Sequence, residues 1–166
     1  MSFDDSASRR LIALYNQSLD HLEGRGVPQD ASQAFALNAQ SAAGGYGDAV
    51  LAMGWFYLRG VGVARDLAEA ERWYRASARQ GDVRAMFSLG QIATIQRDYT
   101  GAHTWFSRAS AKGHQRSWYW LGRLYWRGQG VAPDRKEARR LFQLAAGHKV
   151  VEAQRALRFL SRQRAA

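Results

Sequence analysis

The chain has 166 residues, with 24 Lys and Arg against 14 Asp and Glu for a net charge of +10, and it has no cysteine. The missing thiols exclude disulfides, thiolate metal sites and cysteine nucleophiles, and no window approaches the roughly 18 consecutive apolar residues of a membrane-spanning helix. Charge is uneven: Met1 to Leu58 holds three arginines against six acids, whereas the rest is strongly basic, a balance that suits acidic protein surfaces, nucleic acid or anionic headgroups.

The first stretch places acids before the Arg9-Arg10 pair, and its apolar run from Leu11 to Leu14 is too short for a signal h-region. A cytoplasmic location is expected. From Leu11 onward one pattern recurs. Gly24-Arg25-Gly26-Val27-Pro28-Gln29-Asp30 returns 36 residues later as Gly60-Val61-Gly62-Val63-Ala64-Arg65-Asp66, and 68 residues beyond that as Gly128-Gln129-Gly130-Val131-Ala132-Pro133-Asp134. A copy between them, Gly90 to Asp98, lacks the four-residue G-x-G-V loop and predicts a tighter turn.

Each copy predicts a helical hairpin. In its first helix Ala49, Met53, Phe56 and Tyr57 put one apolar stripe on one face. Ala85, Leu89 and Ile92 continue that stripe in the third copy, and Ser117, Leu121, Leu124 and Tyr125 in the fourth. Glycine at 24, 60 and 128 stops the helix where a left-handed residue is needed.

The second helix starts at Asp30, Asp66 and Asp134, each followed three residues on by Gln33, Glu69 or Glu137, the spacing of a capping box in which the later side chain reaches back. Asp98 is followed by Gly101, so that cap is half made. Ala34, Ala70, Ala102 and Ala138 recur three residues before Leu37, Trp73, Trp105 and Leu141, small beside large, as close helix approach requires.

The order predicts an all-α solenoid of four antiparallel helix pairs, about 11–45, 47–81, 82–113 and 114–147, in one domain spanning 1–166. A last helix at about 150–161 keeps the stripe through Ala153 and Leu157, and its arginines give it a wettable exterior that suits a cap. Ser18 and Asp20 weaken the first helix, and Lys149 stands where earlier copies have Gly81 and Gly113.

These residues resemble the Sel-one-like repeat (SLR) family, relatives of the tetratricopeptide repeats. The second copy carries the fullest match, in Ala49, Met53, Gly54, Tyr57, Gly60, Gly62, Val63, Asp66, Glu69, Ala70, Trp73 and Tyr74. The resemblance covers nearly the whole chain. It implies a right-handed α/α superhelix and a non-enzymatic adaptor that holds a partner protein or peptide in its groove.

If the first helix of each pair lines the concave face, as in the tetratricopeptide fold, the stripe beside the core stripe faces the ligand. It comprises Tyr15, Leu19, Leu22, Leu51, Trp55, Leu58, Phe87, Gln91, Tyr119, Arg123, Trp126 and Arg127, aromatic throughout and basic toward the end. The triplet Trp118-Tyr119-Trp120 wraps too far around a helix to face one core. The opposing reading buries every ring between neighbouring pairs, so exposure of Trp55, Tyr119 and Trp126 decides between them.

Arg135, Lys136, Arg139 and Arg140 form a second basic cluster, either a solvated face or an anion patch. His21, His103, His114 and His148 have no metal-ligand spacing, and the glycine loops follow helices and lack the lysine of a phosphate loop. No catalytic constellation, metal or cofactor is expected. The expected partner is a protein or peptide with an acidic segment; nucleic acid or a small anion held by the basic half is the alternative. Solenoid ends also leave stackable faces for a homodimer.

Overall fold

Glycine and aspartate punctuate the chain where the repeat places them. The computed structural model describes residues 3–162, with side chains from Ser6 onward, and among these residues it has nine α-helices and no strand. They are α1 (Phe3–Glu23), α2 (Ala31–Ala43), α3 (Gly47–Arg59), α4 (Leu67–Arg79), α5 (Val83–Ile95), α6 (Tyr99–Ala111), α7 (Gln115–Arg127), α8 (Arg135–Gly147) and α9 (Val151–Arg162). Internal contacts group the chain into two units, Met1–Ala85 and Met86–Ala166, with the division inside α5. In the first unit α1 packs on α2, α2 on α3 and α3 on α4. In the second α6 packs on α7, α7 on α8 and α8 on α9.

The turns follow from local chemistry. Gly60 and Gly128 take left-handed φ values of 69° and 63°, and their N–H groups donate to the carbonyls of Phe56 and Leu124. Lys149 and Arg97 reach the same region at φ 63° without being glycine. Arg97 makes the tighter turn of the clipped copy possible.

Each second helix is capped by its aspartate: Asp66 Oδ1 accepts from the N–H groups of Ala68 and Glu69, Asp134 Oδ1 from those of Lys136 and Glu137, and Asp30 from Gln33. The expected reach-back is not made. The N–H groups of Asp30, Asp66 and Asp134 donate instead to the carbonyls of His21, Tyr57 and Tyr125 in the preceding helix, leaving Glu69 and Glu137 to pair with Arg72 and Arg140. Asp98 accepts from Gly101 N–H at 2.9 Å, so its side-chain cap matches that of Asp30.

What holds a pair together is a ring set against a glycine. A Cβ on Gly54, Gly90 or Gly122 would fall within 2.7 Å of Tyr74, Phe106 or Phe142 respectively, so only glycine admits the ring. In the first copy both partners change. Ser18 stands at the glycine position and Asn38 at the ring position; both are buried, Ser18 Oγ donating to the Ala34 carbonyl at 2.7 Å and Asn38 Nδ2 to that of Ala49 at 3.0 Å. Helix α1 therefore runs unbroken through Ser18 and Asp20.

Successive pairs are also tied at the first turn of their leading helices. Arg84 bonds Asp48 at 2.6 Å and Asp82 at 2.7 Å, which holds its guanidinium well above the ordinary range. Arg116 and Glu152, also 36 residues apart, make the equivalent pair at 2.7 Å in the second unit.

Candidate functional site: an aromatic cleft rimmed by arginine

Helix α7 is nearly all large side chains, so its neighbours cannot cover every ring. The three consecutive aromatics go three ways and all stay half-buried. Trp118 leans on His148 at 5.0 Å, Trp120 stacks on Phe106 at 5.6 Å, and Tyr119 lies 5.9 Å from Phe142 between centroids.

Beside Tyr119 opens a cleft of about 150 Å³. Helix α7 supplies Tyr119, Arg123, Trp126 and Arg127, α8 supplies Phe142, and α9 supplies Ala156, Phe159 and Leu160. Buried Phe142 and Leu160 belong to the core cluster and make the floor, whereas Phe159 is 58% exposed at the rim.

The charge around the cleft is one-sided. The Arg123 guanidinium lies 4.5 Å from the Trp120 centroid and 5.8 Å from that of Tyr119, and Arg135 lies 4.9 Å from that of Trp126. Met86–Ala166 holds fifteen Lys and Arg but only four acids. All four are engaged elsewhere: Asp98 and Asp134 cap helices, Glu137 pairs with Arg140 and Glu152 with Arg116. Among the described residues of that unit Arg123, Arg127 and Arg135 make no ion pair with any of them.

Of the residues expected on a concave face, Tyr119, Arg123, Trp126 and Arg127 thus meet in one cleft. Phe87 does not belong there. It is 8% exposed, stacked on His114 at 4.3 Å and set against Phe106 at 5.7 Å, so its ring is packing and offers no surface. Gln91 and Leu51 are half-buried. Tyr15 is half-buried, edge-on to Tyr46 at 5.3 Å. Trp55, 39% exposed, lines a different cavity of about 660 Å³ in the first unit with Leu22, Ala31 and Val61.

The second basic cluster divides. Arg135 lies over the Trp126 ring and outside the cleft lining, Arg140 is neutralised by Glu137 at 2.7 Å, Arg139 is half-buried and Lys136 is exposed.

Sequence reasoning did not include Phe142, Ala156, Phe159 or Leu160. Phe159 carried a usable signal: it lies six residues past Ala153, off the stripe that α9 buries. Among the described residues no three His, Asp or Glu side chains gather as a metal site, and no helix is long and apolar enough to cross a membrane.

Two-helix units that repeat a glycine stop, an aspartate cap and a ring-on-glycine contact define an all-α helical solenoid. The chain belongs to the Sel1 repeat family, whose model matches residues 13–46, 47–82, 84–114 and 119–148. A crystal structure of a protective antigen of uropathogenic Escherichia coli, described as displaying an SLR fold, superposes with a TM-score of 0.83 at 28% identity, covering 94% of this chain and 34% of that one. A Sel1 repeat protein of Oxalobacter formigenes gives a TM-score of 0.80 at 28% identity, covering 87% of this chain and 60% of that one.

Over 67 residues the chain is 34% identical to the chitin synthase regulator SKT5 of Malassezia restricta, which is 40% of this chain and 5% of the regulator. The chain thus spans only part of the length of each of these relatives. Sel1 repeat proteins are generally non-enzymatic protein–protein interaction scaffolds.

Proposed function

We propose that this protein is a non-enzymatic adaptor that binds a partner protein through the cleft between α7, α8 and α9. The observation that carries this reading is the pair of guanidiniums in the lining, Arg123 and Arg127, which make no ion pair among the described residues while the half-buried rings of Tyr119 and Trp126 stand beside them. Aromatic residues and arginine are the side chains enriched at protein interfaces and their hot spots. The test is capture of partners from native lysate by the full chain and by the Arg123→Gln/Arg127→Gln variant, with exposed Arg79→Gln as comparator. Capture should fall at least about tenfold for the cleft variant alone, as expected for loss of interface anchors, with the helical spectrum unchanged. Equal capture by all three removes the cleft from the function.

A second reading draws on the same surplus of charge. Fifteen basic against four acidic residues in Met86–Ala166 would attract nucleic acid, with binding that weakens steeply as salt rises. Failure to retard single- or double-stranded DNA or RNA at low salt removes it.

A further inference from the structure

The size of the cleft and the way its arginines are held define the ligand more narrowly, on the footing that the cleft is the binding site. We infer that it takes a peptide segment presenting one large apolar side chain, phenyl- or leucine-sized, with Asp or Glu next to it.

Volume sets the anchor. The cleft holds about 150 Å³, whereas sites for cofactors and drug-sized ligands occupy about 300–1,000 Å³. A space on the order of 150 Å³ accommodates a single benzene-sized ring. Its floor of Phe142 and Leu160 is a continuation of the apolar core, so the group that enters must itself be apolar. Exposed Phe159 on α9 and half-buried Trp126 on α7 stand on either helix to close over that group.

Charge sets the flanks. Arg123 lines the cleft with its guanidinium 4.5 Å from the Trp120 centroid, and a guanidinium offers a fork of N–H donors that matches a planar carboxylate. An arginine already held on a ring loses less side-chain freedom when a carboxylate arrives. Arg127, one turn beyond Arg123 on α7, adds a second cation to the lining. Since none of the four acids of this unit pairs with these arginines, a ligand carboxylate is the complement that the lining lacks.

The same stacking favours a peptide over nucleic acid. Single-stranded binders offer open aromatic faces on which bases lie. Here guanidiniums lie over Trp120 and Trp126. A side chain entering the cleft needs no such platform.

The experiment is fluorescence anisotropy of the full chain with a fluorescein-labelled peptide, Gly-Asp-Glu-Phe-Glu-Asp-Gly, and three relatives: one with the phenylalanine replaced by alanine, one with the acids replaced by their amides, and a hexaglutamate. A twelve-nucleotide single-stranded DNA serves as competitor. The parent peptide should bind at least about tenfold more tightly than each relative, a difference of about 1.4 kcal/mol. Phe159→Ser and Arg127→Gln, both at exposed positions, should each weaken it severalfold without altering the helical spectrum.

No binding of the parent peptide, equal binding of hexaglutamate, or displacement by the oligonucleotide at lower concentration than by unlabelled parent peptide overturns the inference. If lysate partners are still lost in the Arg123→Gln/Arg127→Gln variant while the four peptides behave alike, the ligand class is wrong and the cleft stands. If capture ignores those arginines, the cleft itself is wrong.

Discussion

Lys149 and Arg97 hold backbone conformations that their side chains disfavour. Both have φ of 63°, and Lys149 occupies the turn position that Gly45, Gly81 and Gly113 fill at 88°, 91° and 85° in the other copies. A Cβ in the left-handed region costs about 1–2 kcal/mol, while glycine adds disorder to the unfolded chain that offsets part of any gain. Lys149→Gly and Arg97→Gly should therefore each stabilise the fold by about 0.5–1 kcal/mol, read as a higher midpoint in urea with unchanged slope. A lowered midpoint for either would mean that its side chain contributes a contact worth more than the strain it carries.

These two turns also mark where local pattern stops being informative. Gly60, Gly128 and the capping aspartates act within a few residues of themselves, so their spacing in the chain announces them. The left-handed turn at Lys149 is imposed on a residue with no propensity for it, and only comparison with Gly81 and Gly113 hints at it.

At the scale of the helix, the first turn of α7 joins a repeat departure to a titration. Ser117 stands on the stripe where Ala49, Ala85 and Ala153 stand, and like them it is fully buried, so its hydroxyl must find a partner. It finds Nδ1 of His114 at 3.0 Å. Burial, helped by nearby Arg116, pushes the His114 imidazole below its ordinary range, and burial alone does the same to His103, whose Nε2 lies 3.2 Å from the Tyr125 hydroxyl. A group whose folded pKa is depressed is protonated first in the unfolded chain, so its contribution is complete above about pH 6.5 and is lost as pH falls through the folded value.

Melting temperature should accordingly drop between pH 7.5 and pH 5, before the carboxylates begin to titrate, and drop less in His114→Gln. Identical profiles for the two proteins would show that His114 is not a source of the loss. Other element-scale features were hidden for a related reason. The contacts of Gly54 with Tyr74 and Gly122 with Phe142 lie 20 residues apart, and neither partner announces the other locally. Burial of Phe87 against His114 and Phe106 also depends on α6 and the turn before α7, so its place on a stripe gave no guide to exposure. Tyr119, Arg123, Trp126 and Arg127 of the cleft share one helix face and so stand together in the sequence pattern, whereas on α9 only Phe159, off the buried stripe, carries a signal.

For the whole molecule, charge sets a condition that stability and binding meet in opposite ways. Net charge is +10, and Met86–Ala166 alone combines fifteen cations with four acids. Its ion pairs are exposed, with side chains 57% and 40% accessible in Arg116–Glu152 and 60% and 30% in Arg140–Glu137, and such pairs add little to stability in water. Repulsion among the uncompensated cations acts over longer distances and is the term that salt removes, since the Debye length falls from about 30 Å at 0.01 M to about 8 Å at 0.15 M.

Raising NaCl from 0.01 to 0.5 M should therefore raise the melting temperature, and replacing exposed Arg158 and Arg162 on α9 with glutamate should flatten that rise. Binding of the proposed acidic segment at Arg123 and Arg127 should respond the other way, because the same screening weakens attraction between cation and carboxylate. A titration followed by both thermal melting and peptide anisotropy separates the two effects. If both improved with salt, apolar burial of the anchor would dominate binding and the arginines would select little; if both declined, the local ion pairs would outweigh the repulsion that this charge distribution implies.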